Sequence, residues 1–487
     1  MESKATQIAL HEPVYNERGI IAENYHDLQG LGVLESARHA YPLRKSSDES
    51  TLRAVFQAAE IALLNLADVT ARSIADLEQE SFSTATVKMF WARGFHRLLT
   101  RLSLVPLKLG VHIPVPEESG ALRIHDSVAF QEYIANLHRF DQKVIHLIEA
   151  GVLDPEAAIG EQSLDRWQYN LFHLIKICNH ESTIWERNLT EVRVPAPVPS
   201  YQEFVVTSIV RDAVYDRVLK GDTYFTQFRG LHQIPETLGE EVNDRLEETI
   251  RHLRADRLPE AINQLICIDI LTEVIAAAVP PMADNLATSD YHVIRENLGL
   301  TSGSHSVCLR FHMFTHLYDD LCDELSKCAL RLSPNANEPI EAFRSVAQNS
   351  ADGSRAWLVN LAGGYCLKFR AFISEWRDEH IHMPRNNLGG ELTKSLTGSP
   401  DAVRAVKSMR DAAHSRDPFS VLARARNLVD QRADQTLTQY FDSHKSLDWQ
   451  LLAITGRATQ ERFVQVQERL GFFANRCPFV PPPRRKA

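Results

Sequence analysis

Apolar residues recur at helical spacing over most of the chain, and alternating patterns longer than four residues are few. Because one face of a helix returns every three to four residues, this pattern predicts a mainly helical protein. The predicted helices are Leu52–Glu80, Ser83–Leu104, Asp126–Ala150, Arg166–Thr190, Glu241–Ala255, Pro259–Ala278, Val307–Ser333, Glu338–Ala347, Ser354–His382 and Pro400–Ala413. We therefore expect an all-α fold.

A proline-rich segment interrupts the helical pattern. Val192–Ser200 has prolines at 195, 197 and 199, a spacing that no helix tolerates, so it is predicted to be a linker. With the main boundary there, we expect an N-terminal segment (1–50), a first helical domain (51–200) and a second helical domain with a C-terminal extension (201–487).

The sequence on one side of this segment resembles the sequence on the other. The stretches that begin at Phe56 and Phe228 match in helix length, in the break between helices and in a closing Val-Pro pair. An internal duplication would place Glu60 where the second copy has His232, so the first copy would be a degenerate, structural one. Two amphipathic helix pairs can also share such a pattern by chance, and that alternative stays open.

Composition and charge narrow the classes of function. The 487 residues are 44% apolar and 24% charged, which suits an ordinary globular protein of two or three domains. The net charge of −10, with a basic run only at 484–486, argues against binding to nucleic acid. Because no apolar stretch approaches the ~20 residues that span a bilayer, and no secretion signal begins the sequence, we expect a cytoplasmic protein without membrane contact.

The seven cysteines are odd in number and include no Cys-x-x-Cys pair. This pattern disfavours both a disulfide framework and a structural zinc site. The cysteines are therefore predicted to be buried or unreactive thiols; they are Cys178, Cys267, Cys308, Cys322, Cys328, Cys366 and Cys477.

The segment from Phe372 to Gly390 carries the first candidate for chemistry. Trp376 and His380 are four residues apart and so share a helix face, which Phe372 extends by one turn. Pro384 is expected to end the helix, placing His380 in its last turn. A histidine that projects from a helix into an apolar pocket can be an axial heme ligand, although most histidines on such a face are structural.

Two further segments are candidates for substrate contacts. Phe228 and His232 are again four apart, and a ring beside an imidazole suits a pocket that stacks a flat substrate and accepts its proton. Arg310 follows a turn of small residues that begins at Ser302, and it could pair with a carboxylate. The structural alternatives are a buried aromatic beside an ordinary histidine and an arginine that reaches solvent.

Together, the order and flanking residues of these segments resemble the tryptophan 2,3-dioxygenase superfamily, the heme-dependent aromatic oxygenases. That family has a Phe-x-x-x-His-Gln segment, a Ser-Gly-x-x-Ser turn followed by arginine, and a Trp-Arg-x-x-His segment. The matching residues here are Phe228, His232 and Gln233; Ser302, Gly303, Ser306 and Arg310; and Trp376, Arg377 and His380. The resemblance covers roughly residues 222–415 and implies a tryptophan 2,3-dioxygenase-like helical bundle.

The resemblance also implies roles for these residues and a cofactor. The implied cofactor is heme b, with iron held by His380 and with Trp376 and Arg377 beside it; dioxygen or hydrogen peroxide would be the co-substrate. The implied catalytic residues are His232 and Arg310, and the implied contacts with a small aromatic substrate are Phe228, His232, Ser302, His305, Arg310 and Thr397. Family members associate, so a homodimer is expected.

This sequence departs from the tryptophan-cleaving pattern at two places. The Gly-Thr-Gly-Gly-Ser loop of those enzymes is matched only by Thr397-Gly398-Ser399, and Ser304-His305 replaces their Phe-Gln pair. In these respects the chain is closer to the bacterial tyrosine 3-hydroxylase branch, which implies hydroxylation of a tyrosine-like substrate in secondary metabolism. The alternatives are cleavage of a tryptophan or indole ring and a non-catalytic helical heme-binding or scaffold protein.

Overall fold

The computed structural model describes most of the chain up to residue 388. The described residues are 14–16, 19–22, 25–40, 47–112, 119–154, 178, 185, 188–189, 192–195, 199–215, 224–286, 290–294, 317–349, 351, 353–388 and 424. The structure is mostly helical, which confirms the all-α prediction. Whether the helices form the bundle of a particular family stays a prediction.

The described helices and strands are numbered in chain order. The helices are α1 (Tyr25–Leu28), α2 (Leu31–His39), α3 (Ser47–Glu78), α4 (Phe82–His112), α5 (Val128–Glu149), α6 (Tyr201–Val205), α7 (Thr207–Tyr215), α8 (Phe225–Arg254), α9 (Leu258–Ala277), α10 (Val279–Asn285), α11 (Leu317–Leu332), α12 (Pro339–Gln348) and α13 (Arg355–Leu388). The strands are β1 (Val14–Asn16), β2 (Gly19–Ala22), β3 (Ser119–Leu122) and β4 (Val192–Pro195).

Part of the predicted linker is a strand. β4 pairs antiparallel with β3, Leu122 opposite Val192 and Ser119 opposite Pro195. A proline is tolerated at the end of a strand in a two-stranded pair, because no second neighbour needs its missing N–H. The linker prediction is therefore wrong for Val192–Pro195.

Three predicted helix ends are wrong at or near prolines. α8 begins at Phe225 rather than at Glu241 and continues through Pro235. α4 continues through Pro106 to His112, and α13 continues past Pro384 to Leu388. Position 380 therefore lies about two turns before the end of α13 rather than in its last turn.

Long apolar helices form the core. α3 packs against α4, α5 and α8, and α9 packs against α4, α8 and α13. Two segments, Glu49–Glu78 and Leu258–Asn285, are in fact long and apolar enough to span a membrane by composition. Their most apolar windows are 89% and 67% buried inside the protein, as in the core helices of a soluble fold.

Two compact units divide the chain, residues 1–422 and residues 423–487. Within the first unit α3 packs against α8, so this contact joins the two sides of the predicted boundary at the proline-rich segment. The assignment of a separate first domain and catalytic domain stays a prediction.

The two helix pairs α3–α4 and α8–α9 are joined by similar turns. Each turn has three residues, and the middle one has a positive φ, 55° at Glu80 and 59° at Asp256. Counted back from these turns, three polar positions coincide: Arg53, Gln57 and Glu60 match Arg229, Gln233 and Glu236. In this register His232 corresponds to Phe56, so the predicted pairing of Glu60 with His232 is displaced by one helical turn.

The matching arginines and glutamines are alike in burial, and the glutamines also make similar contacts. All four side chains are buried. The Gln57 Nε2 donates to the Val205 carbonyl (3.2 Å), and the Gln233 Nε2 donates to the Ala213 carbonyl (2.9 Å). Each long helix thus uses one glutamine to hold the chain near the end of α6 or α7.

Buried charged groups attach helix α2 to the second half of the chain. Arg38 donates to Glu241 (3.0 Å) across 203 residues of sequence and also pairs with Asp244. Glu241 in turn accepts from Arg245 (3.1 Å). Because the Glu241 side chain is 1% exposed, its charge depends on these partners.

The five cysteines among the described residues are buried; they are Cys178, Cys267, Cys322, Cys328 and Cys366. Burial raises the pKa of the Cys366 thiol, which keeps it protonated and unreactive. The prediction is confirmed for these five, whereas Cys308 and Cys477 lie outside the described residues.

Candidate functional site

Helix α8 holds Phe228 and His232 together, as their spacing predicts. The two side chains are 2% and 8% exposed, and their ring centroids are 4.3 Å apart. The helical spacing places both rings on one face, tilted by 46° to each other, and α8 packs against α3 and α9.

The hydrogen bond of His232 determines its tautomer. Its Nδ1 lies 2.8 Å from the carbonyl oxygen of Phe228, an acceptor, so Nδ1 carries the hydrogen and Nε2 carries a lone pair. Within the described part of the chain, Nε2 has no hydrogen-bond partner. Burial lowers the pKa of His232 to about 4, so this acceptor stays neutral near pH 7.

Tyr224 and Trp91 extend this aromatic face. Tyr224 lies one turn before Phe228, and its ring stacks on that of Trp91 with centroids 5.5 Å apart and an interplanar angle of 17°. Burial raises the pKa of Tyr224 to about 12, with Asp290 and Asp76 adding to the effect. We call Trp91, Tyr224, Phe228 and His232 the aromatic wall.

Gly94 brings the Trp91 helix close to α10. A Cβ at Gly94 would lie 2.7 Å from the Cβ of Pro281, so only glycine permits this approach of α4 to α10. Helix α10 also packs against α8 and α13. Like α9, it is therefore a common neighbour of the helices that bear His232, Trp91 and His380.

Ion pairs and hydrogen bonds indicate how far along the bundle position 380 lies. Arg355 pairs with Asp256 and Lys368 with Asp269 (2.8 Å), residues 99 apart in both cases, so α13 runs parallel to α9. If the offset of 99 residues continues along α13, position 380 is level with residue 281. Because α8 and α9 run in opposite directions, the hydrogen bond between Arg245 and Gln264 places His232 level with about residue 277. The levels of His232 and position 380 are therefore roughly 6 Å apart along the helix axis.

The other residues of the predicted site are described only in part. Trp376 is half-buried, and Phe372 on the same face is 7% exposed. The side chains of Arg377 and His380 lie outside the described part of the structure, as do Ser302, His305, Arg310 and Thr397 in their entirety. The structure thus brings Phe228 and His232 together, and it places their helix and α13, the helix that bears His380, against the shared neighbours α9 and α10. The remaining contacts of the site stay predictions.

Glu60 has a role that its comparison with His232 did not predict. Its Oε2 accepts hydrogen bonds from Ser127 Oγ (2.7 Å) and the Tyr201 hydroxyl (3.0 Å). Burial, partly offset by these bonds, raises the pKa of Glu60 to about 7. Ser127 is also the N-cap of α5, so the carboxyl joins α3, α5 and α6. A buried glutamate in an apolar helix was the available signal, but its partners are distant in sequence.

A second buried histidine belongs to the first half. His96 Nδ1 accepts from Trp185 Nε1 (3.2 Å), and its Nε2 bonds to the Tyr133 hydroxyl. Burial lowers the pKa of His96 to about 3. Both ring nitrogens are used inside the protein, which makes His96 a neutral structural residue.

A cleft of about 410 Å³, including space open to solvent, lies between α2, α3 and α8. Its lining residues are His26, Leu31, Leu34, Glu35, Arg38, Gln57, Glu236, Thr237 and Glu240. Of the predicted site residues that the structure describes, none lines this cleft, and no member of the aromatic wall does. Among the described residues, no group of three or more His, Cys, Asp or Glu side chains is arranged to hold a metal ion.

No protein-family model matches the sequence, and no curated protein matches it significantly.

Proposed function

We propose that the protein is a heme-dependent oxygenase that hydroxylates the ring of a tyrosine-like substrate. The observation that carries the proposal is the neutral His232 imidazole, buried against Phe228 with its Nε2 lone pair available. Such a pair can stack an aromatic ring and accept the hydrogen of a phenol or indole. The level of position 380 along the same bundle supports the proposal further.

The cofactor implied by the resemblance fits the described residues as far as they extend. A neutral histidine acceptor beside aromatic side chains that are at most 8% exposed suits a flat, largely apolar group. His380 would hold the iron of heme b, with Trp376 and Arg377 beside it. When bound, the heme would supply activation of dioxygen or peroxide and delivery of oxygen to the ring.

The protein's own groups would position the substrate. Phe228 would stack on its ring, and His232 Nε2 would accept its hydroxyl or N–H hydrogen. Arg310 would pair with its carboxylate, and Ser302, His305 and Thr397 would contact it. Fixing the ring in this way reduces the entropic cost of reaction, which is the main contribution expected from the protein.

Heme binding is tested first. After heme-supplemented expression, we expect a Soret band in the wild type, its loss in His380→Ala and its retention in His382→Ala, a matched control two residues further along α13. Equal heme content in all three proteins would rule out His380 as the ligand, and no Soret band in the wild type would favour a scaffold.

Substrate binding tests the role of His232. Titration of the ferric wild type with tyrosine should shift the Soret band, and His232→Leu should weaken this binding about ten-fold because the acceptor is lost. Phenylalanine, which has no ring hydroxyl, is the control and should bind both proteins equally. The product mass then decides the reaction: one added oxygen atom supports hydroxylation, and two support ring cleavage.

A further inference from the structure

The indole N–H of Trp91 has no hydrogen-bond acceptor in the part of the chain that the structure describes. The residue is 0% exposed, and among the described residues no acceptor bonds to its Nε1. A buried donor without an acceptor loses its hydrogen bond to water and gains nothing in return, so native proteins rarely keep one. A ligand that supplies the acceptor would account for it.

Trp185 shows that the same chain can satisfy such a group. It is equally buried, and its Nε1 donates to His96 Nδ1 (3.2 Å). Both tryptophans belong to the first half of the chain and pack among aromatic rings. They differ in that Trp185 has a protein acceptor, whereas Trp91 is itself part of the aromatic wall to which His232 belongs.

The position of Trp91 points towards the proposed site. Its ring stacks on Tyr224, one turn before Phe228 on α8. One turn further along α4, Gly94 touches Pro281 of α10, and α10 packs against α13. Trp91 therefore lies where the helices of His232 and His380 approach a common neighbour.

We infer that the Trp91 N–H donates a hydrogen bond to a carboxylate oxygen of the ligand bound at the aromatic wall, so that the first half of the chain contributes to binding. The inference rests on the proposed function for the identity of that ligand. Two ligands implied there carry carboxylates, the amino-acid substrate and the heme. In either case the Trp91 N–H would donate to one carboxylate oxygen.

The test compares Trp91→Phe with Trp185→Phe in the full-length protein. Both changes shorten a buried ring by a similar volume, but only Trp185→Phe removes a satisfied hydrogen bond. In the absence of ligands we therefore expect a larger drop in the thermal midpoint for Trp185→Phe. An equal or larger drop for Trp91→Phe, with unchanged ligand affinity, would overturn the inference.

Ligand titrations identify the source of the carboxylate. If it belongs to the substrate, Trp91→Phe should bind tyrosine and tryptophan about ten-fold more weakly and bind phenol and indole normally. If it belongs to the cofactor, hemin should instead bind the apoprotein about ten-fold more weakly. Trp185→Phe should leave all these affinities unchanged, and unchanged affinities in Trp91→Phe would exclude both sources.

The outcome is separable from that of the proposed function. If the wild type shows no Soret band, the oxygenase proposal fails by itself, and tyrosine binding is then measured by calorimetry in the same variants. A ten-fold loss confined to Trp91→Phe would still support the inference, whereas equal affinities would end it.

Discussion

At the scale of single residues, burial shifts the pKa values of Glu60 and His232 in opposite directions. Each group is driven towards its neutral form: the pKa of Glu60 is raised to about 7 and that of His232 is lowered to about 4. For His232 the consequence is a hydrogen-bond acceptor that persists throughout the physiological range. For Glu60 it is a stability that depends on pH.

Glu60→Gln should make the protein less sensitive to pH. Because the folded protein binds the Glu60 proton more tightly than the unfolded chain, the stabilisation is complete below pH about 4.5 and is lost as the pH rises through about 7. The full effect is on the order of 3 kcal/mol. Glutamine keeps an acceptor for Ser127 and Tyr201 but does not titrate.

The measurement is the thermal midpoint of both proteins between pH 5.5 and 8. We expect the midpoint of the wild type to fall relative to that of Glu60→Gln as the pH rises. Parallel curves would contradict the assigned pKa.

The sequence predicted those site residues whose partners are local. Phe228 and His232 were found because a four-residue spacing on a helix brings their rings together. The roles of Glu60 and Trp91 were not predicted, because their partners Tyr201 and Tyr224 lie more than 130 residues away in the sequence and meet them only in the folded protein. Periodicity carries no information about such contacts.

At the scale of helices, the sequence predicted which helices exist better than it predicted where they begin and end. α3, α5, α9 and α12 begin and end within a few residues of the predicted positions, apart from a five-residue extension at the start of α3. α8 and α13 extend much further than expected, through Pro235 and Pro384. A proline inside a helix costs about 3 kcal/mol, which extensive burial of the flanking turns can offset. A sequence pattern does not show that compensation.

Gly94→Ala tests the contact between α4 and α10. The new methyl group would meet the Cβ of Pro281 at 2.7 Å, and a proline ring cannot move aside as a flexible side chain can. We expect a loss of about 1–3 kcal/mol in the free energy of unfolding.

Gly364→Ala in α13 is the matched control. Nothing lies within 4 Å of a Cβ there, so alanine should stabilise the helix by about 0.5–1 kcal/mol. Denaturant unfolding of both variants gives the comparison, and similar effects of the two changes would show that the close approach at Gly94 is not maintained.

At the scale of the whole molecule, the halves of the chain are interdependent. The sequence predicted an all-α protein and a repeat across the proline-rich segment, but the pairing of α3 with α8 and the attachment of α2 to α8 arise from tertiary packing. The shared positions Arg53 and Arg229, with Gln57 and Gln233, support the repeat in a register that the turns reveal and the sequence comparison had missed by four residues.

Arg38→Ala should destabilise the whole first unit. It removes one partner of the buried Glu241 carboxylate, and we expect a loss of about 2–3 kcal/mol, limited because Arg245 still binds Glu241. Arg211→Ala is the control, since its pairing with Glu132 is exposed and should contribute less than about 1 kcal/mol. Equal shifts in the unfolding midpoint would show that the Arg38 contacts are not structural.

The contact between Arg38 and Glu241 also constrains how the protein is made. The two residues are 203 apart, so α2 leaves the ribosome well before the acidic partner of Arg38 has been translated. At 5–20 residues per second the delay is roughly 10–40 s. For most of that interval α2 can contact only its sequence neighbours α1 and α3 and lacks α7 and α8, so part of its apolar side stays uncovered and accessible to chaperones.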